Sequence, residues 1–237
     1  MDLKNIIIGI VVVLLIYFIY IWIFGDSSRT YLLGMHDAKK KHIIDGSHFP
    51  KGNSADYTYS VWLYIEDLAN YRVGKRKHIF HKGSKKFARK NTFRIGDDDK
   101  VDISEMAFPN NSPGLFIAEN SNELIVTVNT FEQILEEVKV PNIPLNKWIN
   151  ISIRVANLNL DVFMNGNIAV RHRLRSPVKQ NMGDVHVNAQ GGFDGMLSSF
   201  RYFNSSLSSA EIMDIVRAGP NLKMDKSMNI FPPYMSL

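Results

Sequence analysis

The sequence predicts an all-β, antiparallel domain that carries one short C-terminal helix and is preceded by a single transmembrane helix. Three observations carry this reading. Nineteen consecutive residues, Ile6 to Phe24 (IIIGIVVVLLIYFIYIWIF), hold no charge and no strong helix breaker. From Tyr57 onward, short alternating apolar segments recur between Gly, Pro, Asn and Asp at intervals of about 8 to 15 residues, as in half-buried antiparallel strands. Near the end, Ser208-Ser209-Ala210-Glu211 is a capping box, with Ile212, Ile215 and Val216 on one face behind it and Gly219-Pro220 as the stop, so a helix of about ten residues is expected.

At about 1.5 Å of rise per residue the N-terminal run makes a helix roughly 28 Å long, close to the ~30 Å hydrocarbon core of a bilayer. Ile6 opens it and Leu14 marks its middle. Its aromatic residues, Tyr17, Phe18, Tyr20, Trp22 and Phe24, crowd the second half, where Tyr20 and Trp22 suit the headgroup boundary. A cleaved secretory signal would have a shorter apolar run ending at small residues, whereas Trp-Ile-Phe-Gly-Asp follows here. Lys4 stands alone before the span, against Arg29, Lys39, Lys40 and Lys41 after it. That bias directs the large C-terminal part to the cytosol. The chain has no cysteine, which agrees with a reducing compartment and with a domain large enough to fold without staples. Sequons occur at Asn110, Asn150 and Asn204, but Asn150 falls inside a strand pattern where a glycan would be awkward.

This divides the chain into an anchor (1–25), a juxtamembrane connector (26–56), the β domain (57–219) and a tail (220–237). Strands are expected at Tyr57–Ile65, Glu123–Asn129, Trp148–Val155, Leu160–Met164 and Met196–Phe203. Asn165-Gly166 is the strongest hairpin signal, because both central residues of a type I′ turn need positive φ.

Taken in order, six pieces match a family. They are Tyr59-Ser60-Val61-Trp62-Leu63-Tyr64, His78-Ile79-Phe80-His81-Lys82-Gly83, Pro144 to Ile151 with Trp148, Leu160 to Gly166, Gly192-Phe193-Asp194-Gly195, and Phe200 to Phe203 with Leu207 to Ile212. Together they resemble the laminin-G-like, concanavalin A-like lectin/glucanase jelly roll, with Trp62, Trp148, Asn165, Gly166 and Gly195 as its signature. The resemblance implies a jelly-roll β-sandwich over Tyr57 to Gly219. Pro177 to Val185, Gly191 to Gly195 and Gly219 to Leu222, with the N-terminal anchor, are similar to membrane-anchored members of this fold in large DNA viruses of algae and protists. That resemblance implies a virion protein lying between an internal membrane and the capsid shell.

An enzymatic reading fails on residues. Hydrolases of this fold draw two carboxylates from a Glu-x-Asp-x-x-Glu strand, and no such string occurs. Asp97-Asp98-Asp99, Glu132 and Glu136-Glu137 read as solvated surface. Calcium is possible, since related domains hold it through rim Asp side chains. Yet Ser198 stands where much of the family has an acidic residue, and Asp184, Asp194 and Asp97–Asp99 form no fixed cage. His78 and His81, three apart in a strand, are expected on opposite faces, and with His172 and His186 they suggest no metal site. No phosphate loop or nucleophile motif is present.

Charge is more telling. Between Arg72 and Arg94 stand ten Lys or Arg and no acidic residue: Arg72, Lys75, Arg76, Lys77, Lys82, Lys85, Lys86, Arg89, Lys90 and Arg94. Removing those ten from the net +5 leaves −5 elsewhere, so the basic character is one local patch. It reads either as a contact for acidic lipid, nucleic acid or an acidic protein face, or as a solvated loop. Arg171, Arg173 and Arg175 alternate and could extend it. Nucleic acid is disfavoured because Phe80, Phe87 and Phe93 pack inward rather than form a stacking platform. Trp62 and Trp148 stand in apolar alternation and are expected to be buried.

Two readings remain. In the first the chain is a non-enzymatic, single-pass membrane protein, a minor capsid or membrane-associated virion protein whose partners are the bilayer and a capsid or other structural protein. In the second it is a membrane-displayed glycan-binding module.

Overall fold

The computed structural model describes residues 3–24, 29–50, 55–88, 92–95, 99–103 and 105–224. Two α-helices, α1 (Leu3–Phe24) and α2 (Ser209–Ala218), bracket fifteen strands. In chain order these are β1 (Arg29–Leu33), β2 (His36–Asp37), β3 (His42–Ile44), β4 (Tyr57–Asp67), β5 (Lys77–Gly83), β6 (Thr92–Ile95), β7 (Asp99–Asp102), β8 (Asn111–Ile117), β9 (Glu123–Val128), β10 (Glu136–Pro141), β11 (Trp148–Ala156), β12 (Asn159–Met164), β13 (Asn167–Arg173), β14 (Val185–Val187) and β15 (Asp194–Phe203).

All pairings between these strands are antiparallel. A seven-stranded sheet runs β1-β15-β4-β11-β12-β13, with β2 also on β15; a six-stranded sheet runs β10-β9-β8-β5-β14-β3; β6 and β7 form a separate ribbon. The fold is therefore the antiparallel β-sandwich the alternation predicts. Its core lies between the two sheets, where Tyr59, Val61, Leu63 and Ile65 of β4 meet Leu115 and Ile117 of β8 and Val126 and Val128 of β9. On β4 the intervening Thr58, Ser60 and Trp62 face outward, the period-2 consequence of the pleat.

The predicted local signals form as expected. Asn165 (φ 51°) and Gly166 (φ 84°) make the hairpin between β12 and β13, and the Asn165 side chain accepts a hydrogen bond from the Asn150 N–H at 2.9 Å. Ser208 caps α2 with the reciprocal Glu211 contacts, and Gly219 (φ 73°) ends it. Helix α2 covers the outer side of the seven-stranded sheet, burying Phe163, Phe203, Leu207, Ile212 and Ile215 together. The segment after it stays on β15, where Ser198 Oγ donates to the Asn221 carbonyl and the Asn221 N–H donates to Ser199 Oγ. Beneath these segments Ser60, Asn150 and Ser152 hydrogen-bond one another and are buried, so the Asn150 sequon is closed to a glycan. The tail from 225 to 237 lies outside the described residues.

The connector expectation is corrected. Residues 29–49 belong to the sandwich: β1 and β2 pair with β15, β3 pairs with β14, and Leu33, Ala38, Ile44 and Phe49 enter the core. Lys39, Lys40 and Lys41 consequently follow the end of β15 opposite to Arg29, which pairs with Phe203. Helix α1 is formed over the predicted run. Its described side chains from Ile8 to Ile19 are exposed, Leu14 at 50 %, whereas those of Ile6, Tyr20, Trp22 and Phe24 lie outside the described residues. Among the residues whose side chains are described, which in α1 are Lys4, Asn5 and Ile8 to Ile19, no helix is long and apolar enough to cross a membrane.

Gly195 and Gly166 separate two costs. A Cβ at Gly195 (φ 145°) would meet the Tyr64 carbonyl oxygen at 1.9 Å, in the middle of the sheet. At Gly166 its close contact would be the flexible end of Met213, at 2.6 Å, with Val216 at an ordinary 3.6 Å. Gly195→Ala is expected to cost about 3 kcal/mol and lower Tm by roughly 6–12 °C, with Gly166→Ala costing about 1 kcal/mol, both read by thermal denaturation.

Candidate functional site

Strand β5 carries most of the chemistry, and a bulge decides how it is displayed. His78 pairs with Phe116 of β8, but Phe80, two residues on, pairs with the adjacent Leu115, so Ile79 is the extra residue. The bulge resets the pleat. His78 and His81 both reach the outer side of the six-stranded sheet, Ile79 and Phe80 both enter the core, and Lys82 follows inward. The expectation that His78 and His81 lie on opposite faces is thereby corrected.

The two imidazoles complete a chain of hydrogen bonds. The Ala189 N–H donates to His78 Nδ1 at 3.0 Å, which leaves the proton of a neutral ring on Nε2. That Nε2–H donates to His81 Nδ1 at 2.6 Å, and His81 Nε2–H donates to the Ser84 carbonyl at 2.9 Å. His186 of β14 stacks on His81 with centroids 4.9 Å apart and planes at 21°. Phe87 and Phe116 set their edges against the pair. Every ring position is used by the neutral tautomers, so a proton added to either ring breaks a donor–acceptor match. Burial accordingly lowers His78 well below the usual histidine range, and the neighbouring imidazoles add to the shift; burial lowers His81 to about 4. His186 is also lowered, chiefly by burial.

The basic run is not one solvated patch. Lys75, Lys85 and Lys86 are exposed, but Arg76 (6 % exposed), Lys77 (1 %) and Lys82 (3 %) are buried. Arg76 donates to Glu137 at 2.7 Å and stands 3.4 Å from Glu119, while Arg72 pairs with Glu105 at 2.8 Å. Acidic residues distant in sequence thus neutralise part of the run. Arg89, Lys90 and the side chains of Phe93 and Arg94 lie outside the described residues. Arg171 binds Asp161 at 2.6 Å, beside Arg154 on the same carboxylate, and Arg173 and Arg175 are exposed.

Lys82 is a buried cation of that run and faces a cleft. Its ammonium lies 3.6 Å from the Phe49 ring centroid and 5.9 Å from that of Tyr202, and it makes no ion pair among the described residues. The cleft, at one end of the sandwich, is lined by Tyr57, Tyr59, Ser112, Lys179, Asn181 and Tyr202 among others. It encloses ≈ 30 Å³, room for a water or two. Burial lowers the Lys82 amine to about 8 and raises Tyr202 to about 12. The Asn181 amide donates to the Lys82 and Ser112 carbonyls, at 2.7 and 3.1 Å, and so ties the wall of the cleft together. A second cleft, of ≈ 140 Å³, lies over Arg76, Glu119 and Lys139.

Trp62 is buried as expected, but under the covering segments of the outer face rather than between the sheets. Trp148 is only half-buried, tilted against Tyr64 at 5.6 Å, because it stands at the start of β11 where the cover ends. For calcium, Asp194 binds Lys39 at 2.6 Å and Asp184 accepts from the Gly46 N–H at 3.0 Å. Among the described residues no three acidic, His or Cys side chains converge as a metal cage; Asp97 and Asp98 lie outside them. Glu136 is buried rather than solvated, accepting from Thr130 and the Arg175 N–H.

No protein-family model matches this sequence and no curated protein matches it. Solved structures do match. The serotype D botulinum neurotoxin ligand binding domain, in complex with N-acetylneuraminic acid, superposes with a TM-score of 0.56 at 12% identity over 82% of this chain and 52% of that one. The botulinum neurotoxin D receptor binding domain gives 0.55, 12%, 81% and 53%, and that of the C/D mosaic serotype 0.52, 16%, 81% and 43%. The chain spans about half the length of these domains. At such identities the likeness establishes the shared β-sandwich.

The histidine chain makes stability depend on pH. The folded pKa lies below the unfolded value of about 6.5, so the unfolded chain takes up the proton first. For His81 the contribution is complete above pH 6.5, declines as pH falls and is gone near pH 4, with a slope approaching ~1.4 kcal/mol per pH unit for each proton, and that of His78 goes on declining to lower pH. Urea denaturation at stepped pH measures it, and His81→Gln should flatten that limb.

Proposed function

We propose that this chain is a non-enzymatic binding module held at a bilayer by α1, linking an internal membrane of a viral particle to a protein of its shell. The observation that carries the tethering is the spacing between helix and sandwich. Only residues 25–28 separate α1 from β1, and β1 is hydrogen-bonded along β15 as a strand of the seven-stranded sheet. A domain joined so closely holds its surfaces at a set distance from whatever α1 is embedded in. The apolar run from Ile6 to Phe24 has the length of a span. The module faces the cytosol-derived side, in keeping with the excess of Lys and Arg after the run.

A protein partner is favoured by shape. Clefts of ≈ 30 and ≈ 140 Å³ are small beside the ~300–1,000 Å³ of small-molecule sites, so recognition by surface rather than by enclosure suits the domain. The hydrolase carboxylate pair is missing from the sequence, and the buried acidic groups Asp161 and Glu136 are committed to Arg154, Arg171, Thr130 and backbone. The virion setting rests on the sequence resemblance. A second reading, a glycan-binding module, is favoured by one finding: a superposed domain of this fold was solved with N-acetylneuraminic acid.

The full chain is expected to resist alkaline extraction from membranes, whereas deletion of residues 1–24 releases it. Crosslinking mass spectrometry on purified particles should then join the sandwich to a shell protein. Saturable binding to sialylated glycans on an array, without such crosslinks, would favour the second reading and remove the first.

A further inference from the structure

We infer that the Lys82 cleft receives the phosphate of an anionic lipid from the same bilayer that holds α1. This rests on the anchor reading above, and three independent features of the sandwich support it.

The first is position. Arg29 pairs with Phe203 and Thr30 with Tyr202; on the other side of β15, Phe203 pairs with Thr58 and Tyr202 with Tyr59. Tyr57, Tyr59 and Tyr202, which line the cleft, therefore stand at the end of the sheet where the chain enters from α1. The stretch 25–28 can separate Phe24 from Arg29 by at most about 18 Å. The cleft thus opens at the end of the sandwich closest along the chain to the anchor.

The second is unbalanced charge. A buried ammonium needs a counter-charge or strong hydrogen bonds to offset its lost hydration. Lys82 has aromatic faces on one side and the cleft on the other. Lys179 also lines the cleft, and among the described residues no acidic one does. The nearest acidic neighbour in the chain, Asp56 between Ala55 and Tyr57, accepts from the Asn157 N–H at 2.7 Å and the Ser206 hydroxyl at 3.5 Å, and the Asp184 carboxylate accepts from the Gly46 N–H. Two amines without a carboxylate form a receptor for an oxyanion. The enclosed space admits one or two oxygens and excludes a sugar ring.

The third is the rim. Phe131 is 68 % exposed and Met182 64 %, on either side of the cleft's Lys179–Asn181 wall. Lys179 holds its ammonium 5.9 Å from the Phe131 ring. Exposed aromatic and thioether groups beside lysines are what a headgroup boundary accommodates, with the apolar parts inserted and the ammonium at phosphate level. The opposite end of the seven-stranded sheet carries Asp37, Asp67 and Asp194 among its lysines, and Asp194 pairs with Lys39 there.

The test uses the full chain in lipid nanodiscs, of phosphatidylcholine alone or mixed with phosphatidylserine. Brief acylation near pH 8 is quantified at Lys82 by peptide mass spectrometry, with exposed Lys147 as the internal reference. Lys82 should be labelled several-fold less in the anionic discs, and inorganic phosphate added to neutral discs should protect it far less. Lys82→Met, checked for folding by its Tm, should co-purify with several-fold less phosphatidylserine from mixed discs. Equal Lys82 labelling in the two lipids, or equal protection by free phosphate, overturns the inference and leaves the anchor reading standing. A chain that fails to remain with the discs overturns both.

Discussion

Strand β15 is hydrogen-bonded on both flanks, and the rest of the molecule depends on it. On one flank it holds β1 and β2, from the start of the described domain; on the other it holds β4, the central strand of the larger sheet. Its inner residues Leu197, Phe200 and Tyr202 enter the core, and its outer hydroxyls hold the segment after α2. Four stretches of chain that share no local sequence signal are thereby fixed to one strand. Because β1 is among them, the strand that follows α1 in the chain is part of the sandwich.

A second constraint lies in β5. A seven-residue strand has to contribute to the inter-sheet core and to the outer cluster with Phe87 and Phe116, and a regular pleat would scatter its histidines. The bulge at Ile79 collects His78 and His81 on one side and keeps Phe80 and Lys82 on the other. The outcome is a neutral imidazole chain with no free valence, and a buried lysine aimed at the cleft near the chain's entry. The first behaves as a structural element sensitive to acid. The second is the group whose burial asks for a ligand.

How much of this was legible in the sequence follows from the range of each interaction. The Asn165-Gly166 turn and the Ser208–Glu211 capping box formed as expected because their geometry is set by neighbours in the chain. The alternation in β4, β11 and β12 was legible for the same reason. Residues 29–49 were not, since β1 and β2 are short and acquire their identity only from pairing with a strand that the chain reaches much later. The phase of His78 and His81 was hidden because nothing in Lys77–Gly83 announces a bulge. The basic run misled because a sequence lists charges without their partners: Glu119 and Glu137 reach Arg76 from β8–β9 and β10, and Lys82 turns into the core at a position that reads as one more surface lysine. Trp148 failed for a related reason, its burial depending on where the covering segment stops.

The central claim is that the end of the sandwich bearing Arg29 and the Lys82 cleft faces the bilayer. The chain has no cysteine, so single labelling sites can be introduced cleanly. Lys179→Cys and Lys40→Cys mark opposite ends of β15, whose ten residues span about 30 Å. The decisive measurement is fluorescence quenching of each label by nitroxide lipids with the full chain in vesicles. The account predicts strong quenching at position 179 and little at position 40; equal quenching at the two, or the reverse order, would contradict it.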